Sequence, residues 1–333
     1  MSISQPVRPA MNFSFRRLLR LALGGALIVF LFAIPIYAWA MDDQYLLTLF
    51  GRILAFALCA LGLNLALGYG GMVSLGHAMY IGLGAYSVGI LSTLGYTSGW
   101  LHLATTLVVT AVIAAPIGWI ALRTRGIAFI MITLAFAQLF YYVFVSLKAF
   151  GGDDGISLQS LSDFGVLTGN KTAIYVSLSV TLGLSLWLIH RIVNSRFGLV
   201  LRASQVNERR VNALGTRSLP YRLAAYVISA EMCALGGYFL ANLTGFVSPS
   251  LMSWMVSGEL IVMVLLGGAG TVFGPIVGAV SLLLVEEGLK VMTEHWPLVL
   301  GPIIVLIVIF LRKGIWGLLA DPTEESSTPG GHG

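Results

Sequence analysis

The sequence predicts an all-α fold, a polytopic helical membrane protein with about ten transmembrane helices. Of its 333 residues, 57% are hydrophobic and only 10% are charged, whereas soluble domains carry about 25% charged residues. Long apolar runs recur between residues 18 and 311, and each approaches the roughly 20 residues that cross a bilayer. Membrane-spanning strands are not expected, because the runs exceed the roughly 10 residues of a barrel strand and do not alternate.

Ten apolar runs are the candidate spans. They cover residues 18–40, 45–67, 72–94, 101–121, 127–147, 172–190, 222–245, 254–267, 274–291 and 297–311. Arginines precede the first run as in a signal peptide, but the run is longer than the roughly 7 to 15 apolar residues of such a segment, so we expect an uncleaved helix. Four glycines and a proline in LLGGAGTVFGP (265–275) separate the eighth and ninth runs. They favour a broken or re-entrant helix there.

The basic residues predict how the chain lies in the membrane. With the N-terminus in the cytoplasm, fifteen of the nineteen lysines and arginines fall on the cytoplasmic side, seven of them in a loop over residues 191–222. This asymmetry predicts that both termini are cytoplasmic. It also accounts for the net charge of +5 without a nucleic-acid partner. We expect a cytoplasmic tail (1–17), one membrane domain (18–318) and a polar, disordered cytoplasmic tail (319–333).

Small residues recur at helical spacing in two stretches, and such faces let helices approach closely. The first comprises Ser74, Ala78, Gly82, Ala85 and Gly89, and the second Gly267, Gly270, Gly274, Gly278 and Ser281. Helix packing is the simpler interpretation of both faces. The alternative is that the glycines act as hinges beside a permeation path.

Polar side chains inside the predicted spans should face protein or a cavity, because exposure to lipid is costly. Candidates for the translocation path are Asn64, Ser74, His77, Gln138 and Glu259. For Glu259, a functional role and structural pairing are both open. Glu231 also lies inside a span, and its role is not predicted.

Motifs typical of enzymes do not occur. The chain contains no G-x-x-x-x-G-K-[ST] loop, so we do not expect it to bind ATP itself. H-E-x-x-H, C-x-x-C and G-x-S-x-G do not occur either. Two cysteines inside predicted helices, Cys59 and Cys233, indicate neither a disulfide framework nor a metal site. The sequence therefore predicts a non-enzymatic membrane protein without a bound cofactor.

The arginine-rich segment, RASQVNERRVNALGTR (202–217), places four arginines and one glutamate in the largest predicted cytoplasmic loop. It contains few helix breakers before Gly215, which is a typical C-terminal stop. We predict a short helix on the membrane surface. The alternative is a basic loop that only orients the protein.

Several motifs resemble a known family. Asn207-Glu208, Ala213-Leu214-Gly215 and Leu219-Pro220 occur in the order of the coupling-loop motif of bacterial ABC importer permeases. Residues 63–86, 122–138, 257–279 and TEHW (293–296) resemble the LivM-type permeases of branched-chain amino acid importers. The resemblance extends over residues 45–318.

This resemblance implies a membrane subunit that works with partners in the bacterial inner membrane. Two separate ATP-binding subunits would hold ATP and Mg²⁺, a LivH-like second permease would complete the pore, and an extracytoplasmic binding protein would deliver the substrate. Residues 205–217 would form the coupling helix that docks into an ATPase subunit. The docking residues are then Glu208, Arg209, Arg210, Ala213 and Gly215. Arg209 and Arg210 depart from the small residues that follow the motif glutamate in many permeases, which leaves the register open.

Other functions remain alternatives. A proton-coupled secondary carrier would use Glu259, Glu231 or His77 and would transport without an ATPase. An ABC permease for another small solute, such as urea, would share the architecture. A membrane scaffold fits the composition but leaves the interior polar residues unexplained.

Overall fold

The computed structural model describes residues 44–164, 171–310 and 314–317. The predicted first span (18–40) and both predicted tails lie outside these ranges. The described helices are α1 (Gln44–Asn64), α2 (His77–Thr93), α3 (Gly99–Ala121), α4 (Ile127–Ser146), α5 (Lys171–Val193), α6 (Arg196–Ala213), α7 (Ser218–Thr244), α8 (Trp254–Gly267), α9 (Gly274–Met292), α10 (Trp296–Phe310) and α11 (Gly314–Gly317). The predicted polytopic helical fold is confirmed.

Five described helical segments are long and apolar enough to cross a membrane. They are Gln44–Tyr69, Gly99–Ala121, Ile127–Ser146, Lys171–Val193 and Ser218–Thr244. α8 is apolar but has only 14 residues, a length of about 21 Å against a hydrocarbon layer of about 30 Å. It ends at the glycine-rich stretch that separates it from α9, where the sequence predicted an interruption.

The bundle is built around α1, which packs against α5, α7, α8 and α9. α7 packs in turn against α2 and α3. The contact between α2 and α7 is backbone against backbone: a Cβ on Gly84 would lie 2.0 Å from the carbonyl oxygen of Ala234, and one on Gly237 would lie 1.8 Å from that of Ile81. Neither glycine belongs to the predicted small-residue faces. The helices meet this closely only because these positions lack side chains.

The predicted face on α2 is only partly a packing face. A Cβ on Gly82 would lie 2.1 Å from Cγ of Met252, so this glycine is required for close contact. Gly89 has ordinary space, with Val247 at 3.5 Å. Ser74 lies outside the helix, since α2 begins at His77. The prediction of a helical face from Ser74 to Gly89 was therefore wrong at its first residue and did not identify a tight contact at its last.

The bundle has two ends, which are identified by the elements that meet there. The α6 end carries α6, the loop between α3 and α4 and the start of α7, which contact one another. The ladder end carries β1 (Ile156–Ser157) and β2 (Phe246–Val247), which pair antiparallel. These two-residue strands were not expected, but they lie in connecting segments and do not span the bundle.

Exposed aromatic residues mark both ends. Tyr45, Trp100 and Trp254 at the ladder end are 59%, 66% and 50% exposed, and Trp119 and Trp187 toward the α6 end are 45% and 60% exposed. Tryptophan and tyrosine concentrate where a membrane meets water. Between these belts α3, α4 and α5 expose large apolar side chains. The arrangement is that of a multi-pass membrane protein.

Candidate functional site

The first break in the helical bundle separates α1 from α2. After α1 the chain forms one π-helical turn (Leu65–Tyr69), and residues 70–76 then leave the helical conformation. Ser74 is buried there, and its hydroxyl oxygen accepts a hydrogen bond from the Gly76 amide at 3.2 Å. The Leu75 amide donates to Oγ1 of Thr133 at 3.2 Å. Side chains therefore satisfy backbone amides that the interrupted helix leaves open.

The second break lies between α8 and α9, and Asn64 holds it. Asn64 is fully buried; its Nδ2 donates to the Thr271 carbonyl at 2.8 Å, and its Oδ1 accepts from the Gly270 amide at 2.9 Å. Irregular backbone at membrane depth is tolerated where protein satisfies it. Gly270 has a φ of +77°, a conformation that favours glycine, and it is therefore a turn residue as well as part of the predicted face. Asn64 thus joins the two breaks.

Other glycines of the second predicted face hold α8 against α9. A Cβ on Gly267 would lie 1.8 Å from the Gly274 carbonyl oxygen, and one on Gly278 would lie 1.9 Å from that of Met263. A Cβ on Gly274 would lie 2.2 Å from Oγ1 of Thr271. The two breaks also touch directly, because a Cβ on Gly68 would lie 2.4 Å from the Gly270 amide nitrogen.

The remaining candidates for the translocation path occupy different environments. His77 is fully buried, with Nε2 2.9 Å from the Ser229 hydroxyl and the rings of Tyr80 and Tyr226 at 5.9 and 5.4 Å. Gln138 is half-buried on α4, and Glu259 is exposed on α8. Neither these three residues nor Asn64 and Ser74 line the cavity that is described below, and their part in translocation stays a prediction.

The arginine-rich segment is helical but kinked. α6 has a non-helical residue at Asn207 (φ −155°, ψ 94°), and Oδ1 of Asn207 accepts a hydrogen bond from the Arg210 amide at 3.0 Å. Asparagine is among the residues favoured at a helix N-cap, so a separate short helix follows the kink. It ends at Ala213, and Gly215 follows with a φ of +86°. The short helix is therefore confirmed within the predicted range 205–217, although it is shorter than that range.

Glu208 points into the protein. Its Oε2 lies 2.7 Å from Nη2 of Arg125 and 2.8 Å from Nη1 of Arg222, and its Oε1 accepts a hydrogen bond from the Ser218 hydroxyl at 2.7 Å. The side chains of Glu208 and Arg222 are only 13% and 11% exposed. One carboxylate thus binds α6 to the α3–α4 loop and to the start of α7. Arg125 and Arg222 were not among the predicted site residues, because spacing along the chain does not show that two loops meet.

The other predicted docking residues face outward. Arg209, Arg210, Ala213 and Gly215 are exposed, and Leu214 is 80% exposed. Leu214 is a large apolar side chain on an otherwise basic surface. This outward surface is open to a partner, whereas Glu208 is occupied within the chain.

A cavity of about 440 Å³ lies between the arginine-rich segment and the first break. Its lining includes residues 70–73, Arg125, residues 204–209 and Arg222. Beside it, a Cβ on Gly71 would lie 2.7 Å from Cγ of Gln205, so α6 touches the first break. Contacts therefore run from the arginine-rich segment to the first break and, through Gly68 and Asn64, to the second.

A bundle of apolar helices with buried, irregular breaks is typical of membrane transport proteins, and this class accounts for the architecture. The chain belongs to the family of permease components of branched-chain amino acid transport systems, whose model matches residues 45–311. The predicted resemblance is thereby confirmed.

Individual relatives agree with the family. The high-affinity branched-chain amino acid transport system permease protein LivM of Salmonella typhimurium is 26% identical over 285 residues, which cover 78% of this chain and 67% of the relative. LivM of Escherichia coli K12 matches to the same extent. LivH of Escherichia coli K12 is 25% identical over 284 residues, 79% of this chain and 91% of the relative. No solved structure matches the chain significantly.

Proposed function

We propose that this chain is a membrane-spanning permease subunit of an ABC importer for leucine, isoleucine and valine in the bacterial inner membrane. The α6 end lies in the cytoplasm and the ladder end lies outside the cell. Family membership supports the substrate class. In the arginine-rich segment, Glu208 forms an inward anchor, whereas Leu214 and its exposed neighbours form the outward surface. This division supports the role of a subunit that is coupled to an ATPase.

The outward surface docks into a groove of an ATPase subunit. Leu214 supplies the apolar anchor, since it is 80% exposed and contributes little to the folded chain. Arg209 and Arg210 flank it and attract an acidic rim, an interaction that salt weakens because these charges are exposed. ATP and Mg²⁺ bind to the two ATPase subunits, and this chain binds no cofactor itself.

The inward anchor transmits the motion. The single observation that carries this step is the bonding of Glu208 to Arg125, Arg222 and Ser218, which ties the docked helix to two parts of the membrane domain, the α3–α4 loop and the start of α7. Contacts between Gln205 and Gly71 and between Gly68 and Gly270 continue to both breaks. Closure of the ATPases displaces the short helix, and the breaks open the path to one side of the membrane at a time.

Two further partners complete the importer. A LivH-like second permease covers part of the apolar surface of this chain, and an extracytoplasmic binding protein delivers the amino acid at the ladder end. The relatives support this arrangement, since the chain is similar to both LivM and LivH, each named as a permease protein of such a system.

A proton-coupled carrier is the second candidate. The observation that favours it is Glu231, whose two carboxylate oxygens are buried without a hydrogen-bond partner among the described residues. Buried ionisable groups in membrane helices often belong to proton relays. A carrier needs no ATPase, and this difference decides between the two functions.

The test is to purify the tagged chain gently from its own host and to identify co-purifying proteins by mass spectrometry. We expect two ATPases and a second permease, and Leu214→Glu should remove the ATPases while the second permease remains. Leu199→Glu is the matched control: Leu199 is 64% exposed on the same helix, before the kink. Loss of the ATPases in both variants, or in neither, would contradict docking through the outward surface. A chain purified alone that transports leucine into liposomes without ATP would establish the carrier.

A further inference from the structure

The cavity between the arginine-rich segment and the first break carries a surplus of positive charge. Arg125, Arg209 and Arg222 line it together with one carboxylate, that of Glu208. Glu208 pairs with Arg125 and Arg222 and neutralises one of the three charges. The lining that the structure describes therefore has two more positive than negative charges, and an anion would balance them. We call this space the basic cavity.

Two of the three arginines remain available to a ligand. The Arg125 side chain is largely exposed, and its ion pair with Glu208 is formed by Nη2, whereas a guanidinium carries five N–H donors. Arg209 is exposed and forms no ion pair with any residue that the structure describes. Arg222 is held by Glu208 and is nearly buried. Accessible guanidinium groups on two walls of one cavity match the geometry of a phosphate group.

The basic cavity lies at the level where a membrane meets water. The α3–α4 loop (122–126), which contributes Arg125, joins two helices that are long and apolar enough to cross a membrane. Near the end of α3, Cζ of Arg123 lies 3.6 Å from the centre of the exposed Trp119 ring. Ile127, the first residue of α4, is exposed as well. A loop this short between two such helices places the cavity among the lipid headgroups.

Part of the lining is apolar and accessible. Val73 and Val206 are exposed, and Phe129 and Ile130 also line the cavity. A Cβ on Gly126 would meet no atom within 4 Å, so the space beside the α3–α4 loop is open. A free phosphate ion would leave the apolar lining in contact with water, whereas the glycerol and upper acyl groups of a phospholipid would cover it.

We propose that the basic cavity binds the phosphate of an anionic phospholipid, such as phosphatidylglycerol. Arg125 and Arg209 donate hydrogen bonds to the phosphate oxygens, and the apolar lining contacts the glycerol backbone. Basic pockets between membrane helices are known to bind anionic headgroups. The bound lipid bridges the α3–α4 loop and α6, and it adds a second tie beside that of Glu208. Only the leaflet, the inner one, rests on the orientation in the proposed function; the site itself requires no ATPase.

The test uses the assembled importer in nanodiscs of phosphatidylcholine that contain phosphatidylglycerol with a photoreactive diazirine on its headgroup. The crosslinks are mapped by mass spectrometry of tryptic peptides. We expect saturable labelling of the peptide 203–209, which covers most of the α6 residues of the lining. Unlabelled phosphatidylglycerol should compete, whereas phosphatidylcholine and millimolar inorganic phosphate should not. Labelling that does not saturate would overturn the proposal, and competition by inorganic phosphate would show a site for a soluble anion instead of a lipid.

Two matched pairs of variants separate the cavity from the general charge of this surface. Arg125→Gln should lower the apparent affinity about tenfold, the effect of losing one charged hydrogen-bond donor, whereas Arg123→Gln, in the same loop but outside the lining, should not. Arg209→Gln should act like Arg125→Gln, and Arg210→Gln should not. Arg209 and Arg210 both belong to the outward surface, so this comparison cancels any effect on ATPase docking.

Size exclusion should show intact particles for all four variants, because the altered side chains lie at the surface or in the α3–α4 loop. Equal losses in Arg123→Gln and Arg125→Gln would overturn the proposal, since the lipid would then respond only to net charge. Absence of the ATPases from the wild-type complex would instead refute the proposed function, and labelling of the cavity would persist.

Discussion

Replacement of Glu208 by glutamine should loosen the arginine-rich segment mainly through Arg222 and only slightly through Arg125. The reason is burial. The Glu208 and Arg222 side chains are 13% and 11% exposed, whereas Arg125 is 61% exposed. Loss of one partner from a buried ion pair costs about 3–5 kcal/mol, while an exposed pair contributes about 0–1 kcal/mol.

Glu208→Gln should lower the free energy of unfolding by less than the roughly 3–5 kcal/mol of a fully buried ion pair. The reasons are that the carboxamide retains an acceptor for the Ser218 hydroxyl and that Arg222 keeps a little contact with solvent. We expect about 2–3 kcal/mol, close to the value for a hydrogen bond to a charged group. The coupling energy between Glu208 and Arg222 in a double-mutant cycle should then be about 2 kcal/mol, and that between Glu208 and Arg125 below about 1 kcal/mol.

The assay is the apparent melting temperature of the purified complex, followed by tryptophan fluorescence for the wild type, Glu208→Gln, Arg222→Gln, Arg125→Gln and the two double variants. At a fixed scan rate, the Glu208 and Arg222 single variants should melt earlier, and their double variant should melt hardly earlier than either. A coupling with Arg125 as large as that with Arg222 would refute the argument from burial. Coupling near zero for both pairs would show that Glu208 does not anchor the segment.

Three further predictions concern the breaks, the helix contacts and the end of the short helix. Asn64→Leu should destabilise the protein by about 2–4 kcal/mol, because it leaves the Gly270 amide and the Thr271 carbonyl without their side-chain partner. The melting temperature should fall further for Asn64→Leu than for Asn64→Asp, because aspartate keeps an acceptor for the Gly270 amide. Gly84→Val should abolish the monodisperse peak in fluorescence-detected size exclusion, since even its Cβ meets the Ala234 carbonyl at 2.0 Å, while Gly183→Val, with no atom within 4 Å, should elute normally. Gly215→Ala should lower the free energy of unfolding by about 1–2 kcal/mol, because residue 215 has a positive φ. It should also reduce the amount of ATPase that co-purifies. Equal recovery of ATPase would show that this turn does not shape the docking surface.

The spans and the helix end at Gly215 follow from local patterns in the sequence. Apolar runs set the positions of α3, α4, α5 and α7 to within a few residues, because hydropathy along one helix decides whether it can enter lipid. The break near residue 270 was predicted as a glycine-rich interruption, and the break near residue 70 falls in the gap between the predicted spans 45–67 and 72–94. The start of α2 was misplaced by five residues, since Ser74 and Leu75 continue the small and apolar pattern without being helical.

The candidate site was less predictable from the sequence. The lack of helix breakers and the motif resemblance both predicted a helix in the arginine-rich segment, but neither predicted that Glu208 points inward while Arg209 and Arg210 are exposed. The inward direction of Glu208 depends on Arg125, which comes from a different loop, and on Arg222, 14 positions away. The kink at Asn207 that separates the two directions has only a weak local signal, an asparagine before a glutamate.

The sequence by itself determined that this protein lies in a membrane and that its spans are helical. It also determined the charge pattern that orients the chain and the places where helices stop. Each of these properties depends on residues that are neighbours along the chain. Only the tertiary structure decided which distant residues meet. Asn64 bonds to Gly270 across 206 positions, and Arg52 meets Glu286 across 234. Such contacts arise from how helices pack, and packing depends on backbone shapes such as the Gly84–Ala234 approach that no single stretch of sequence specifies.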